Sequence, residues 1–330
     1  MTEAGRPAGE GRVAAAVRVN GVLGSVPTDF PAGSIFPIYS ITKTLTAICV
    51  LRLAEMGSLR LADPARDWLP DVNIPGTITL THLLRHTSGL RDYGPLPEYH
   101  DAVRTRPDRP WTRQGFLDAV MAAGLLFAPG DRFSYSNVGY MLLVEIIEHA
   151  SGRPFARAID DFITTPLALE RTSVLEQPED LMRCVAGFGS EVTPDGNVVD
   201  VRGRYHPGWC APRVIASTGE DVTLVFDALM TGRLIGADRV REMLTLVPLS
   251  RKPDETIGVG MGAYSDRASR WGRNYGHGGG GPGYDLSATV YPDTPLGRLS
   301  ITVFVNSSRG PRAMDREVAL MERLATSASL

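Results

Sequence analysis

Ser40 and Lys43 stand three residues apart in residues 39–51, a stretch with no other charged side chain. Residues at this spacing share one face of a helix. We expect Ser40 at the helix N-terminus, beside unpaired backbone N–H groups, and Lys43 one turn deeper among apolar side chains. Burial would lower the pKa of Lys43 and make its amine a base for the serine hydroxyl. The pattern predicts a nucleophile with its general base; the structural alternative is a helix cap followed by a lysine that reaches to solvent.

Lysine is rare in this chain. Of 34 basic residues, only Lys43 and Lys252 are lysines, and the others are arginines. Arginine keeps its proton in proteins, whereas a desolvated lysine can release it. This contrast favours a chemical role for Lys43, while we expect Lys252 to be an exposed residue without one.

The composition is that of an ordinary globular chain of 330 residues, 43% of them hydrophobic and 22% charged. A net charge of −3 argues against a nucleic-acid partner, and the apolar runs are too short to span a membrane. Residues 1–10 hold no apolar signal segment, and the three cysteines lack metal-ligand spacing. We therefore expect a cytoplasmic protein with reduced cysteines, and leave its oligomeric state open.

The hydrophobic pattern changes along the chain. Strands are predicted near both ends, at residues 12–19, 256–263, 284–291 and 299–305. Helices are predicted at 41–56, 79–86, 112–123, 138–150, 154–163, from a capping box at Ser217–Glu220 to about 231, and at 313–325. This order predicts an α/β lobe from residues 1–62 and 211–330, an inserted helical lobe of residues 63–210, and an active site between them.

Two further motifs follow Ser40-x-x-Lys43, namely Tyr135-x-Asn137 and His277-Gly278-Gly279. In this order the three resemble the motifs of the serine β-lactamase and penicillin-binding-protein-like superfamily. The likeness is greatest to class C β-lactamases, the D,D-carboxypeptidases of the same branch and related esterases. It includes a His-Thr-Ser-Gly-Leu block at residues 86–90 and extends from about residue 12 to the C-terminus.

The resemblance implies a two-lobed β-lactamase-like α/β (α+β) fold, an antiparallel sheet flanked by helices with an inserted all-helical lobe. It implies that Ser40 is acylated, with Lys43 as its base and no metal or organic cofactor. Tyr135 would shuttle protons, provided that its surroundings hold its pKa down. Asn137 would orient Lys43 and bind the substrate amide. The oxyanion hole would be the backbone N–H groups of Ser40 and Gly280, on an edge strand.

The third motif departs from the family pattern. His277 stands where the family often has a lysine, and Gly278 where it has a hydroxyl. Substrate binding here would involve His277, whose charge is conditional near neutral pH, and Gly279, which allows close approach of a substrate backbone.

Two other places also differ from the family. The D,D-carboxypeptidases carry an arginine after a glycine-rich strand, which is missing at Met261-Gly262; Arg267, Arg270 and Arg273 are candidate replacements. Arg213 and Val214 stand where the family has two glycines, which either reshapes the pocket or changes the packing.

The sequence therefore predicts a serine hydrolase for a small ester, amide or peptide-like substrate. The departures and the absence of an export signal argue against cell-wall peptides and β-lactams as substrates. The first alternative is an intracellular transacylase that uses the same acyl-enzyme to form amides. The second is a non-catalytic binding or sensor module on this fold.

Two other classes of site have partial signals in the sequence. Gly276-x-Gly278-x-x-Gly281 fits a dinucleotide-binding fingerprint, but a βαβ unit around it is not evident. His82 and His86 have the spacing of two zinc ligands on one helix, without a third ligand or a catalytic glutamate. We expect neither site to be present.

Overall fold

The computed structural model describes residues 11–252 and 254–328, so the predicted absence of a signal segment in residues 1–10 lies outside the described residues. Its main feature is an eight-stranded sheet, in the order β2-β1-β13-β12-β11-β10-β9-β8. Pairs β1–β13 and β12–β13 are antiparallel, so strands from both ends of the chain lie side by side in this sheet. The strands are β1 Val13–Val19, β2 Val22–Gly24, β3 Phe36–Pro37, β4 Ser173–Leu175, β5 Phe188–Gly189, β6 Val199–Asp200, β7 Val214–Ser217, β8 Val247–Pro248, β9 Ile257–Val259, β10 Tyr264–Asp266, β11 Tyr275–Gly281, β12 Tyr284–Thr294 and β13 Gly297–Val305.

Helices cover both faces of this sheet and fill the middle of the chain. A continuous apolar cluster joins α1 and α6 to the sheet, and a second cluster lies beneath α11. The α-helices are α1 Thr42–Glu55, α2 Ala65–Trp68, α3 Leu80–Leu84, α4 Pro97–Thr105, α5 Arg113–Met121, α6 Asn137–Ser151, α7 Phe155–Ile159, α8 Thr165–Leu167, α9 Gly219–Met230, α10 Ala237–Met243 and α11 Ala313–Ala328. Short 3-10 turns add Tyr39–Ile41, Pro178–Arg183 and Pro207–Trp209, and a π turn joins α7 to α8 at Asp160–Thr164.

Local signals explain where the two helices nearest the site begin and end. The predicted helix at 41–56 is confirmed as α1, which is buried nearly all round, and the chain leaves it through Gly57 at φ 74°. The predicted helix at 138–150 is confirmed as α6. Ser136 caps its start by accepting from the N–H of Gly139, and Gly152 ends it in the left-handed conformation.

Other predicted elements were displaced or missed. The helix predicted from Ser217 begins one residue later, because Thr218 caps α9 by accepting from the N–H of Asp221 while Ser217 belongs to β7. Helices α4 and α10 were not predicted. The hydrophobic pattern predicts no strand over the glycine run 276–281, whereas the family resemblance implies a strand at Gly280, and the run does form β11. Glycine is disfavoured in strands, so pairing with β12 outweighs its local preference.

A three-stranded sheet, β3-β7-β4, lies directly beside the predicted nucleophile. Its strand β3 leads straight into the turn at Tyr39–Ile41 and then into α1. Within residues 11–252 and 254–328, no helix is both long and apolar enough to cross a membrane.

Candidate active site

Ser40 lies in the 3-10 turn between β3 and α1. Strand β7 fixes both flanks of this turn, because the N–H of Ile38 donates to Ile215 O (2.7 Å) and the N–H of Ile215 donates to Thr42 Oγ1 (3.1 Å). Tyr39 has a φ of 41°, a left-handed value that is uncommon outside glycine. The turn therefore holds a conformation that its surroundings impose, with the serine just before the N-terminus of a buried helix.

Lys43 points back to the serine from the first turn of α1. Its side chain is buried, with only 2% of the residue exposed, and its Nζ donates to Ser40 Oγ at 3.1 Å. Burial lowers the pKa of Lys43 from 10.5 to about 8, although the nearby carboxylate of Asp92 raises it. The expected lowering of this pKa is confirmed, and the amine is deprotonated in a useful fraction of molecules near neutral pH.

Tyr135 reaches the serine from the opposite side. Its hydroxyl donates to Ser40 Oγ at 3.0 Å, and its ring lies 5.0 Å from Lys43 Nζ. Proton shuttling through a phenolate required that the surroundings hold the pKa of Tyr135 down, and this condition is not met. Burial raises the pKa of Tyr135, and this effect exceeds the lowering by its hydrogen bond to Ser40. Tyr135 is therefore a protonated phenol, a proton donor rather than a base, in the unacylated site.

His86 positions Tyr135. Its carbonyl accepts from the N–H of Ser134 (2.8 Å) and its Nδ1 accepts from the N–H of Ser136 (3.1 Å), so it binds the backbone on both sides of the tyrosine. The imidazole and the phenol rings also stack, with centroids 4.4 Å apart. This positioning role of His86 could not be predicted from the sequence, because contacts between segments 50 residues apart leave no local pattern.

Asn137 was expected to orient Lys43, but its side chain binds elsewhere. Its Nδ2 donates to Asp92 Oδ2 (3.2 Å) and its backbone N–H donates to Asp92 Oδ1 (2.9 Å). Burial raises the pKa of Asp92, while these hydrogen bonds and the charge of Lys43 lower it. Asp92 was missed by sequence reasoning, and it links Asn137 electrostatically to Lys43. The role of Asn137 toward a substrate amide stays a prediction.

His277 faces the same centre from β11. Its Nδ1 lies 2.5 Å from Gly278 O, and its ring is 5.1 Å from that of Tyr264. Burial, reinforced by Lys43, lowers its pKa to about 3. The expectation of a charge that changes near neutral pH is therefore wrong, because the imidazole stays neutral. Its Nδ1–H donates to the carbonyl, and among the described residues its buried Nε2 has no hydrogen-bond partner.

The glycines after His277 allow β11 to pass close to the nucleophile. A Cβ on Gly279 would lie 2.6 Å from Ile38 O, and one on Gly281 would lie 2.1 Å from the ring of Tyr39. Strand β10 pairs with β11 through Tyr264 and Gly276, at the beginning of β11. Gly280 is exposed on the stretch beyond that pair, as expected for an edge strand. Its N–H as part of the oxyanion hole stays a prediction.

Neither alternative site has the geometry it requires. The Gly276–Gly281 fingerprint lies within strand β11 and not in a turn before a helix, so the dinucleotide interpretation is wrong. Helix α3 ends at Leu84, so His86 does not share its face with His82. The imidazole of His82 caps that helix instead, by accepting from the N–H of Thr79 at 3.2 Å. The described part of the chain contains no cluster of three potential metal ligands.

Ser40 opens onto a cavity of about 790 Å³. Five tyrosines contribute to its wall, together with Ser40, Lys43, Asn137 and the edge of β11 at Gly280. The tyrosines are Tyr39, Tyr93, Tyr99, Tyr205 and Tyr284. The cavity is large enough for a small ester, amide or short peptide and presents the nucleophile at its wall.

The two family departures near the cavity differ in their effects. Arg213 is exposed and lines the cavity, whereas Val214 is buried in β7. The arginines considered as replacement carboxylate ligands are not among the residues that line it. Arg267 donates to Thr256 O and Glu255 O, and Arg270 pairs with Glu322.

Known proteins that resemble this chain show the family to which it belongs. A family model described as Beta-lactamase matches residues 8–325. A penicillin-binding protein of Bacillus subtilis (strain 168) is 30% identical over 272 residues, which are 79% of this chain and 58% of the relative. Esterase EstB of Burkholderia gladioli is 34% identical over 41% of this chain and 37% of the esterase. This chain thus spans between one third and three fifths of these relatives.

A solved structure covers nearly the whole chain. The crystal structure of a D-stereospecific amidohydrolase from Streptomyces sp. superposes with a TM-score of 0.79 at 29% sequence identity. The match covers 91% of this chain and 90% of the amidohydrolase. The expected α/β fold with an antiparallel sheet flanked by helices is confirmed by this likeness and by the topology above.

Proposed function

Because the chain belongs to the beta-lactamase family, we propose that it is a serine hydrolase that cleaves small esters or amides through an acyl-Ser40 intermediate. One observation carries the proposal. The Oγ of Ser40 lies 3.1 Å from Lys43 Nζ and 3.0 Å from the Tyr135 hydroxyl, so a base and a proton donor meet at one hydroxyl. A helix cap or a solvent-reaching lysine needs neither this convergence nor a lowered pKa.

In acylation, the neutral amine of Lys43 takes the Oγ proton while the oxygen attacks the substrate carbonyl. The bond between the carbonyl carbon and the leaving group then breaks. Tyr135 protonates the leaving group and recovers its proton from the Lys43 ammonium. Backbone N–H groups of Ser40 and Gly280 stabilise the negative oxygen of the tetrahedral intermediate. The elevated pKa of Tyr135 suits this role, because a phenol that keeps its proton can donate it late.

Deacylation uses the same groups in reverse. Lys43, neutral again, takes a proton from water while the water oxygen attacks the acyl carbon, and Ser40 Oγ leaves with a proton. Water reaches the acyl group through the cavity, whose mouth carries exposed side chains such as Arg213 and Arg312. Hydrolysis is therefore the reaction that we propose. Transfer to an amine uses the same intermediate and replaces water by another nucleophile.

Esters and amides are proposed because the related proteins include an esterase and an amidohydrolase. The test is turnover of 4-nitrophenyl acetate and of D- and L-phenylalanine amide by wild type, Ser40→Ala and Ser58→Ala. Ser58 is a serine outside the cavity and provides a matched control. We expect Ser58→Ala to retain turnover. Ser40→Ala should lose turnover while it stays folded, with a thermal unfolding midpoint lowered by a few degrees, because Ser40 Oγ accepts the hydrogen bonds of Lys43 and Tyr135. Turnover by Ser40→Ala at the wild-type rate would refute the proposal. Glycine methyl ester added as acceptor distinguishes hydrolysis from acyl transfer by the product formed.

A further inference from the structure

The cavity beside Ser40 is rich in arginine, although the chain as a whole carries a net charge of −3. The charged residues in its wall are Lys43, Arg104, Arg213, Arg309, Arg312, Glu191 and Asp285. Some of these charges already have partners inside the protein. Arg104 pairs with Asp101, and Asp285 accepts from the backbone N–H of Ala313 at 2.8 Å. Positive groups still outnumber negative ones, and such a cleft attracts anions.

Arg213 immediately precedes strand β7, which is hydrogen-bonded to both flanks of the turn that carries the nucleophile. A turn from Cys210, closed by the N–H of Arg213 donating to Cys210 O at 2.9 Å, delivers the chain into β7. Two residues later, Ile215 is hydrogen-bonded to both Ile38 and Thr42, which flank the serine. Consecutive Cα atoms are about 3.8 Å apart, so the Cα atom of Arg213 lies within about 7.6 Å of that of Ile215.

The backbone at Arg213 would suit a glycine better. Its φ is 68°, in the left-handed region that glycine adopts without strain and other residues adopt at a cost. Local structure therefore does not explain why an arginine stands here. Ion pairing does not explain it either, because in the described part of the chain the guanidinium of this exposed side chain has no carboxylate partner. A strained residue at a site wall points to a function of its side chain.

We propose that Arg213 binds a carboxylate of the substrate and so directs the enzyme toward anionic esters or amides. The inference rests on the proposed acyl-Ser40 hydrolase and specifies its substrate class. A guanidinium presents two parallel N–H donors to a carboxylate and keeps its charge at any relevant pH. It thus supplies the positive charge that neutral His277 and the hydroxyl-free Gly278 do not.

The test uses two matched ester pairs. In the first, 4-nitrophenyl hemisuccinate is compared with 4-nitrophenyl 4-methylpentanoate, which has an isopropyl group in place of the carboxylate. In the second, 4-acetoxybenzoate is compared with its methyl ester, so the carboxylate lies on the leaving group. The proteins are wild type, Arg213→Gly, Arg213→Lys and the control Ala168→Gly, which replaces another left-handed residue, φ 53°, that is outside the cavity wall.

For each pair, selectivity is the kcat/KM of the anionic ester divided by that of the neutral ester. We expect Arg213→Gly to lower this selectivity by about tenfold in at least one pair, because a charged hydrogen bond is lost. The loss should appear chiefly as a higher KM for the anionic ester. Arg213→Lys should restore part of the ratio, and Ala168→Gly should leave it at the wild-type value. The affected pair identifies the side of the scissile bond that carries the carboxylate. Raising the salt concentration should reduce the selectivity of the wild type more than that of Arg213→Gly.

A wild-type ratio in Arg213→Gly for both pairs would overturn the inference. The neutral esters keep this result separate from the proposed hydrolase, because they report Ser40-dependent turnover without any carboxylate. Misfolding is excluded by thermal unfolding. Arg213→Gly should unfold at the wild-type temperature or higher, since glycine takes this backbone conformation freely.

Discussion

Replacing Lys43 by methionine should make the protein more stable while it abolishes catalysis. Methionine has a similar length, no charge and a preference for apolar surroundings. The pKa of Lys43 is lowered from 10.5 to about 8 by burial, which at neutral pH corresponds to a penalty of about 3 kcal/mol on the folded state. Lys43→Met removes this penalty, but it also removes the hydrogen bond to Ser40, which costs about 1 kcal/mol. We therefore expect Lys43→Met to raise the free energy of unfolding by about 2 kcal/mol at pH 7.

The gain should depend on pH in a defined direction. Because the pKa of Lys43 is lower in the folded state, the unfolded chain binds more protons between about pH 8 and 10.5, and wild-type stability rises with pH relative to the variant. The advantage of Lys43→Met should thus shrink to below about 1 kcal/mol at pH 9.5. Urea unfolding at pH 7 and 9.5 measures both values.

The other lysine provides the matched control. Lys252 is exposed, so Lys252→Met should change stability by less than about 0.5 kcal/mol and retain activity. Lys43→Met should lose at least about a hundredfold in kcat/KM, the contribution expected of a general base. A Lys43→Met protein that is less stable than wild type at pH 7, or whose advantage persists at pH 9.5, would refute the buried-amine account.

Three further predictions concern pH and packing. The kcat/KM for a neutral ester should rise with pH through about 8, because Lys43 loses its proton there. His277 should cause no step in this profile between pH 5 and 7, because burial lowers its pKa to about 3. A step near pH 6 that vanishes in His277→Asn would contradict this prediction. In urea unfolding, Glu317→Gln should stabilise the protein by about 3 kcal/mol at pH 8 but by about 1 kcal/mol at pH 5. Burial raises the pKa of Glu317 from 4.5 to about 7, so its ionisation destabilises the wild-type fold as pH rises. Equal stabilities of variant and wild type at pH 8 would exclude this effect. Gly279→Ala should lower the free energy of unfolding by about 1–3 kcal/mol, since the new Cβ would lie 2.6 Å from Ile38 O. Gly278→Ala should be tolerated, because its Cβ would lie 3.7 Å from its nearest neighbour, Leu286 O. Equal thermal unfolding midpoints for these two glycine variants would show that β11 can move away.

The nucleophile and its base could be predicted from the sequence because they lie within one helical turn. A three-residue spacing fixes their common face, and an uncharged segment predicts burial of the lysine. The structure places Lys43 Nζ 3.1 Å from Ser40 Oγ, as that spacing requires. Tyr135 was found through its motif, and the structure brings it from 95 residues away to the same oxygen.

Long-range contacts account for what was missed. Asp92 binds Asn137 across 45 residues, and His86 holds the backbone around Tyr135 across about 50. Neither contact leaves a periodic signal in the sequence. The raised pKa of Tyr135 and the lowered pKa of His277 could not be predicted for a related reason, because the extent of burial depends on how distant segments pack.

Glycine-rich segments were the other source of error. The run at 276–281 has little strand propensity, and its conformation is set by pairing with β12 and by close contact with the turn that carries Ser40. Arg213 is the converse case, because an arginine stands at a position whose left-handed backbone favours glycine. In both places the requirements of the site outweigh local preference.

The central claim is that catalysis passes through an ester on Ser40. The most direct test is tandem mass spectrometry of the protein quenched within seconds of mixing with 4-nitrophenyl acetate. We predict one added acetyl group on the peptide that contains residues 39–51, located at Ser40, formed at the rate of the initial nitrophenol burst and absent from Ser40→Ala. Turnover without this adduct, or an acetyl group on another residue that forms equally fast in Ser40→Ala, would contradict the account.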